Sequence, residues 1–331
     1  MEWQSPLPEI APFRIDPIFD KRVWGFLDLR PWFDQVAEHE PIGEAWLTGD
    51  DCLVATGPHA GKKLGDLFHE AHASLLGAES ALTESPLLIK VLFPRDKLSV
   101  QVHPDDAMAQ KYGQPRGKTE CWSVLAAEPD AKVAVGLMPG VTPRQVEEEI
   151  HAGTLEASLN LVPVSTGEMI FVDAGTVHAI WPGSILLETQ QNSDLTYRMY
   201  DYGRGRELHI EKSLEALRLA TRAGKITPKI IEDRTVLIDM ENFRLERIPV
   251  NGARTSTSLS GAGLSGESQA RQSLAYLFAA AGSARITGTG LEPFELPARG
   301  VVAVAAVSPE FVVQDLGGLD LIRITPGKPK N

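Results

Sequence analysis

Cysteine is nearly absent from this chain of 331 residues: there are two, Cys52 and Cys121, and neither sits in a C-x-x-C pattern. That scarcity excludes a disulfide framework and a thiolate metal site. A basic excess is missing too. Lysine and arginine number 32 against 44 acidic residues, for a formal net charge of -12, so no broad basic face is expected for nucleic acid. No apolar run approaches the roughly 18 residues needed to span a bilayer. The start, MEWQSPLPEI, has neither the basic nor the apolar region of a secretory leader. The expected location is the cytoplasm, with neither a membrane nor a nucleic acid as partner. The apolar share of 43% and the charged share of 23% are those of an ordinary globular protein. An anionic substrate of so acidic a chain must be met by a local basic pocket.

What the chain has in quantity is short apolar runs separated by glycine and proline. LLIKVLF (87–93), LSVQVH (98–103), EMIFV (168–172), SILLET (184–189), LAYLFAA (274–280) and GVVAVAAV (300–307) are examples. Many short strands between turn signals point to a sandwich or barrel. Helices are few. TPRQVEEEIHAG (142–153) opens with a Thr N-cap and a Pro and closes with Gly. HIEKSLEALRLATRAGK (209–225) places Ile210, Leu214, Leu217 and Leu219 near one face and ends in basic residues and Gly. The Gly/Ser-rich stretch 251–270 reads as a long mobile loop. The domain boundary is expected near 229–236.

The strongest chemical signal is LSVQVHPDD. Gln101 and His103 are two apart on a strand-like run, so they share one face, and Ser99 shares it with them. GKTECW then supplies Glu120, with Lys118 two residues before it, and the turn DAGTVHA supplies His178. Two imidazoles, a carboxylate and an amide oxygen suit a borderline divalent ion such as zinc, iron or manganese. The other histidines, among them the pair in HEAH (69–72), lack zincin spacing and are expected to be ordinary core or surface residues. GPHAGKK (57–63) lacks the full P-loop pattern.

His178 lies in Gly167-x5-Asp173-x-Gly175-x2-His178, the spacing of the second cupin motif, with Asp173 where proline is usual. QVHPD, with Gln101 in place of the first cupin histidine, resembles the type I phosphomannose isomerases, as do GKTECW, AGTVHAI, ETQQNSDLTYRMYDYGR, IGEAW (42–46) and Trp24-Gly25. The resemblance covers most of residues 15–225 and is weak beyond 230. It implies a mainly β protein: a catalytic cupin barrel over 1–230, with short helical segments at 142–160 and 205–225, and a smaller cupin-like β domain over 231–331. That second domain would be metal-free, since residues 236–327 contain no histidine.

The resemblance further implies interconversion of mannose 6-phosphate and fructose 6-phosphate, with one zinc ion, or another divalent metal, held by Gln101, His103, Glu120 and His178. Ser99 with Lys90 or Arg198 would hold phosphate. Lys118 and Arg198 would assist ring opening and stabilise enediolate charge, and Glu188 or Asp194 would be the base. A second phosphate cation is expected beyond Arg198 in the family; here the nearest is Arg204. The partner would be a small sugar phosphate, and the enzyme a monomer or homodimer. Two other readings stand beside this one: another cupin metalloenzyme, such as an iron-dependent oxygenase or a different sugar-phosphate isomerase, or a non-catalytic sugar-binding cupin.

Overall fold

A computed structural model describes residues 8–260 and 273–327. Residues 1–7, where a leader was sought, and 261–270 of the expected loop lie outside the described residues. The chain is mainly β and divides into two compact units: Phe19–Trp46 with Leu88–Thr227, and Met1–Ile18 with Leu47–Leu87 and Pro228–Asn331.

The division departs from the linear expectation, which assigned all of 1–230 to one domain. The reason is strand pairing. Phe13–Asp16 lies antiparallel to Val301–Val304, with Phe13 opposite Ala303, and also pairs with Leu53–Val54. Two early strands, Phe13–Asp16 and Leu53–Val54, thus complete a sheet whose other members come from the end of the chain. That sheet has ten strands, dominated by the long pair Ala275–Gly288 and Phe311–Pro326. Leu277, Ala279, Ile286, Val302, Val313 and Leu321 form its core. Where a loop was expected at 251–270, Ala253–Thr255 is a strand paired with Phe311–Pro326 and Ser256–Ser260 is a helix. The HEAH histidines lie on the helix Leu64–Leu76.

The other unit is a pair of antiparallel sheets. The seven-stranded sheet runs, in order, Gly224–Ile226, Met169–Val172, Glu120–Ala127, Ser184–Gln191, Leu87–Leu92, Ile42–Trp46 and Ile18–Phe26. The five-stranded sheet runs Tyr197–Tyr200, Val100–Val102, His178–Ile180, Lys132–Leu137 and Leu159–Pro163. Trp24, Leu92, Leu98, Trp122, Val133, Ile170 and Ile180 pack in one cluster. A second cluster forms where Val100, Val102, Ala134 and Ala179 meet Val146 and Ile150 of the helix Pro143–Ala152 and Ala216 of the helix Ile210–Ala216. The short helices thus cover the outer face of the five-stranded sheet. Val100 and Val102 point into this cover, so Gln101 between them must face the opposite way.

The helix at 142–153 is as its punctuation implies. Thr142 Oγ1 accepts a hydrogen bond from the Gln145 amide at 3.2 Å, Pro143 occupies the first position, and Gly153 closes the helix at φ 71°. The helix expected over 209–225 stops at Ala216. The Arg218 amide donates to the Gly175 carbonyl at 2.9 Å, and Gly224–Ile226 pairs with Met169–Phe171, so sheet bonds replace helical ones. Tertiary pairing overrides a propensity signal of this kind. Of the 142–160 cover, Leu155–Ser158 is a 3-10 turn and Leu159–Pro163 is a strand. Besides Ser256–Ser260, the helices Leu64–Leu76 and Asp106–Lys111 went unread in the sequence.

Replacing Thr142 with Ala removes the only side-chain acceptor at that N-terminus. Denaturant unfolding of Thr142→Ala is expected to show a loss of about 1 kcal/mol, with the metal centre unaffected.

Candidate metal centre and active site

The two sheets of the unit formed by Phe19–Trp46 and Leu88–Thr227 each bring part of the site. On the five-stranded sheet, His178 stands directly opposite Gln101 across one strand boundary, and Arg198 stands opposite Gln101 across the other. His103 follows the same strand. On the seven-stranded sheet, Glu120 begins the strand Glu120–Ala127. The ligand atoms of His103, Glu120 and His178 lie within 4.8 Å of one another, and each of these residues is 1% exposed. No other such group occurs among the described residues.

The electrostatics of this trio are unusual without a cation. Glu120 Oε2 is 3.4 Å from His103 Nε2, and Oε1 is 3.4 Å from His178 Nε2. Neither carboxylate oxygen has a hydrogen-bond partner, nor does either nitrogen of His103. Burial, then Lys118, holds His103 down to about 3, and burial lowers His178 as well, so both imidazoles are neutral near pH 7. Burial works against charge on Glu120, but Lys118 opposes it and the carboxyl stays ionised. His178 Nδ1 donates to the Thr176 carbonyl at 2.9 Å, which leaves its Nε2 lone pair turned toward Glu120. Such a second bond fixes tautomer and ring orientation in metal sites.

Buried polar atoms are ordinarily paired, and an isolated buried carboxylate is costly. Two neutral imidazole nitrogens and an anionic carboxylate converging on one point, with the His103 nitrogens and both Glu120 oxygens unpartnered, fit a divalent cation of intermediate softness. Gln101 Nε2 is 3.2 Å from His178 Nε2, and Ser99 Oγ donates to Gln101 Oε1 at 3.4 Å. A half-turn of the amide exchanges its ends and presents the oxygen to the same space.

The strand carrying Glu120 is anchored by polar contacts. Gly117 packs so tightly that a Cβ there would lie 2.4 Å from the Asp105 carbonyl carbon and 2.5 Å from the Pro104 oxygen. The Gly117 amide donates to Asp106 Oδ1 at 2.8 Å, and the same oxygen accepts from Gln191 Nε2 at 2.9 Å. Gln191 Oε1 accepts from the Thr119 amide at 2.9 Å. Asp106 and Gln191 were not singled out from sequence, because nothing local distinguishes them from ordinary surface polar residues.

Four neighbouring strands of the seven-stranded sheet carry a row of ionisable groups. Glu188 stands opposite Trp122, whose indole donates to Glu188 Oε2 at 3.2 Å. Lys90 Nζ is 3.8 Å from Glu188 Oε1 and 3.5 Å from Glu44 Oε2. Lys118 Nζ is 3.5 Å from Glu120 Oε2. Burial and then Glu120 push Glu188 up to about 7, against the pull of Lys118 and Lys90. Burial also tends to strip Lys118 of its proton, but Glu120, Glu188, Asp194 and Glu44 together keep it charged. Glu44, within the quoted IGEAW, was not picked out as a site residue; only the pairing of its strand with Leu87–Leu92 reveals its partner.

The remaining expected residues divide. Ser99 is buried beside Gln101. Arg198 is half-buried; its Nη1 donates to the Glu207 carbonyl at 2.9 Å, while its buried Nε has no partner. Asp194 is exposed and reaches the group only as a charge acting on Lys118. Tyr197 is buried in the outer cluster, with Tyr200 and Tyr202 against it, so all three pack behind the five-stranded sheet. Arg204 is 3.0 Å from Asp201 and stacks over Tyr202.

Comparison with known proteins follows the same lines. Residues 13–139 match the family model described as phosphomannose isomerase type I, catalytic domain. A mannose-6-phosphate isomerase of Streptococcus mutans is 34% identical over 301 residues, covering 86% of this chain and 89% of that protein. The crystal structure of the mannose 6-phosphate isomerase from Bacillus subtilis superposes with a TM-score of 0.81 at 27% identity, over 95% of this chain and 99% of that one. A mannose 6-phosphate isomerase bound with zinc and yttrium shares the fold at 15% identity, with a TM-score of 0.74 over 96% of this chain and 100% of that one.

Gly117→Ala forces backbone away from backbone beside Lys118. It is expected to cost about 1–3 kcal/mol in unfolding free energy and to weaken divalent-cation binding in a calorimetric titration, whereas Gly113→Ala, which meets no atom, leaves cation binding unchanged.

Proposed function

This chain belongs to the type I phosphomannose isomerase family, and from that premise we infer that it interconverts mannose 6-phosphate and fructose 6-phosphate by proton transfer through an enediolate. The observation that carries the reading is the buried His103–Glu120–His178 group with Lys118 and Glu188 beside it. A buried carboxyl pushed up toward neutrality beside a lysine is the setting of a general base.

We assign the metal to His103, Glu120 and His178, with Gln101 as fourth ligand, and propose zinc, the ion bound in the solved relative named above. A divalent cation there supplies Lewis-acid stabilisation of negative charge on the sugar's carbonyl oxygen. The chain's own groups do the rest. Arg198 and Ser99 bind the phosphate of the open-chain sugar, Arg198 through the guanidinium edge not used by Glu207. Glu188, as its carboxylate, takes the proton from C2. The electron pair of that bond becomes the C1–C2 double bond, and the C1 carbonyl electrons move onto O1, where Lys118 donates a hydrogen bond. Glu188 returns the proton to C1 while the proton of the C2 hydroxyl passes to O1, which leaves a C2 ketone. Trp122 fixes the direction of the Glu188 carboxyl throughout. Asp194 is the alternative base; its exposure makes it the poorer choice, because a base shielded from water keeps its proton for return to substrate. The same reading places the enzyme in the cytoplasm, as a monomer or homodimer. The ten-stranded unit is assigned a structural role as a cupin-like domain.

A coupled assay with mannose 6-phosphate tests the reading. Activity is expected to vanish on chelation, to return with zinc, and to be absent in His103→Ala; a zinc-loaded wild type without activity would refute it. The pH dependence follows from Glu188. The base acts only when deprotonated, so kcat/KM should fall as pH drops below about 7. Glu188→Gln should lose about 100- to 10,000-fold in kcat with its zinc content intact.

A further inference from the structure

We infer that Glu44 is a positioning residue that pins the Lys90 ammonium beside Glu188, so that Lys90 serves the proton-transferring carboxylate and not the substrate phosphate. The inference rests on the isomerase reading above and adds to it a role for Glu44 and a changed role for Lys90.

The strands Ile42–Trp46, Leu87–Leu92 and Ser184–Gln191 are neighbours in one sheet, and each contributes one member of the chain Glu44, Lys90, Glu188. All three side chains are buried. Lys90 Nζ lies between Glu44 Oε2 at 3.5 Å and Glu188 Oε1 at 3.8 Å, and sits 4.5 Å from the centre of the Trp46 ring, which stands opposite Lys90 across the strand boundary. A phosphate dianion touching this nitrogen would be brought close to Glu44 and to Glu188, both of which repel it when ionised. Opposed charges at such separations act strongly where water is excluded. The ammonium is thus already neutralised by the protein.

Glu44 is in turn held more firmly than a mere counter-ion requires. The Trp46 indole donates to Oε2 at 2.6 Å, and Arg22 donates to Oε1 from Nε at 3.1 Å and to Oε2 from Nη2 at 3.4 Å. Arg22 is itself held by Asp20 at 2.5 Å. The groups facing Glu188 are therefore Lys90 and Glu44 from one side, and Lys118, Glu120 and the Trp122 indole from the other. Without the Glu44 charge, Lys90 would pair with Glu188 alone, draw its carboxyl out of line with Trp122 and make it a weaker base.

The test uses full-length, zinc-loaded protein and compares Glu44→Gln, Lys90→Met and the double variant with the wild type. Zinc content and thermal unfolding first establish that each variant is folded; Glu44→Gln preserves shape and both strand partners. A displaced base is expected to lower kcat about 10- to 100-fold in either single variant. The KM for mannose 6-phosphate and the calorimetric dissociation constant for inorganic phosphate should each stay within about threefold, less than the loss of one charged phosphate contact would cause. The double variant should be no slower than the worse single one, because the two residues act as one device. If Lys90→Met weakens inorganic phosphate binding tenfold or more with kcat retained, Lys90 is a phosphate anchor and the inference is overturned. Unchanged kcat in Glu44→Gln overturns it as well. A wild type inactive on mannose 6-phosphate would count against the isomerase reading instead, and the phosphate titration, which needs no turnover, would still decide where Lys90 acts.

Discussion

Glu120 is an ionised carboxylate, 1% exposed, whose two oxygens face imidazole nitrogens and a lysine without a single hydrogen bond. Leaving a charge in that state costs several kcal/mol unless it is paired, and much of the surrounding structure answers that cost. Lys118 lies two residues away on the same chain segment, and Gly117 lets that segment pass against Pro104 and Asp105 with no room for a side chain. The imidazoles are kept neutral by burial, so they add lone pairs and not further charge. The remaining positive charge that the group calls for is a divalent cation. A site of this kind is built from anchored backbone outward, which explains why residues with no direct ligand role, Asp106 and Gln191, are tied to the strand that carries it.

From this centre the charges spread sideways across the sheet. Glu120, Glu188, Lys90 and Glu44 come from successive strands, and Lys118 sits above the first two. Two carboxylates near one another cannot both ionise freely, and here burial and the Glu120 charge push Glu188 up while Lys118 opposes burial at Glu120. Glu120 has Lys118 at 3.5 Å and ionises; Glu188 has Lys90 at 3.8 Å, but Lys90 is shared with Glu44. The outcome is a pair of carboxylates with separate duties, one a permanent anion and one able to exchange a proton near neutral pH. Pairs of titratable groups pushed apart in this way allow one site to hold both a permanent anion and a proton-exchanging carboxyl.

The fold supplies the burial that makes these effects strong. The five-stranded sheet would ordinarily expose one face, but the helices Pro143–Ala152 and Ile210–Ala216 cover it. That cover is why Val100, Val102 and Ala179 can be apolar on the outside while Gln101 and His178 face the site. It also explains the misreading of 209–225 as one helix: the apolar positions reflect packing against the sheet, and after Ala216 the chain returns to sheet pairing at Gly224–Ile226.

Much of this was legible in the linear sequence. Alternation placed Ser99, Gln101 and His103 on one face. The turn DAGTVHA supplied His178, and Thr142, Pro143 and Gly153 bounded a helix, because turn chemistry and capping are local properties of the chain. Four things were not local. Phe13–Asp16 joins a sheet completed by residues beyond 228, so the units interleave where a linear boundary was expected. Helix Leu64–Leu76 carries a non-helical residue, Ala71, that breaks its pattern. Lys90 reads as an available cation until Glu44 is seen across the strand boundary. Asp194 reads as the equal of Glu188 until one is found exposed and the other buried. The sequence by itself determined which side chains share a strand face, and it carried the motifs that mark the family. Only the tertiary structure decided which charges neutralise one another, because pairing between strands depends on register and burial, and neither is encoded in the spacing of residues along one strand.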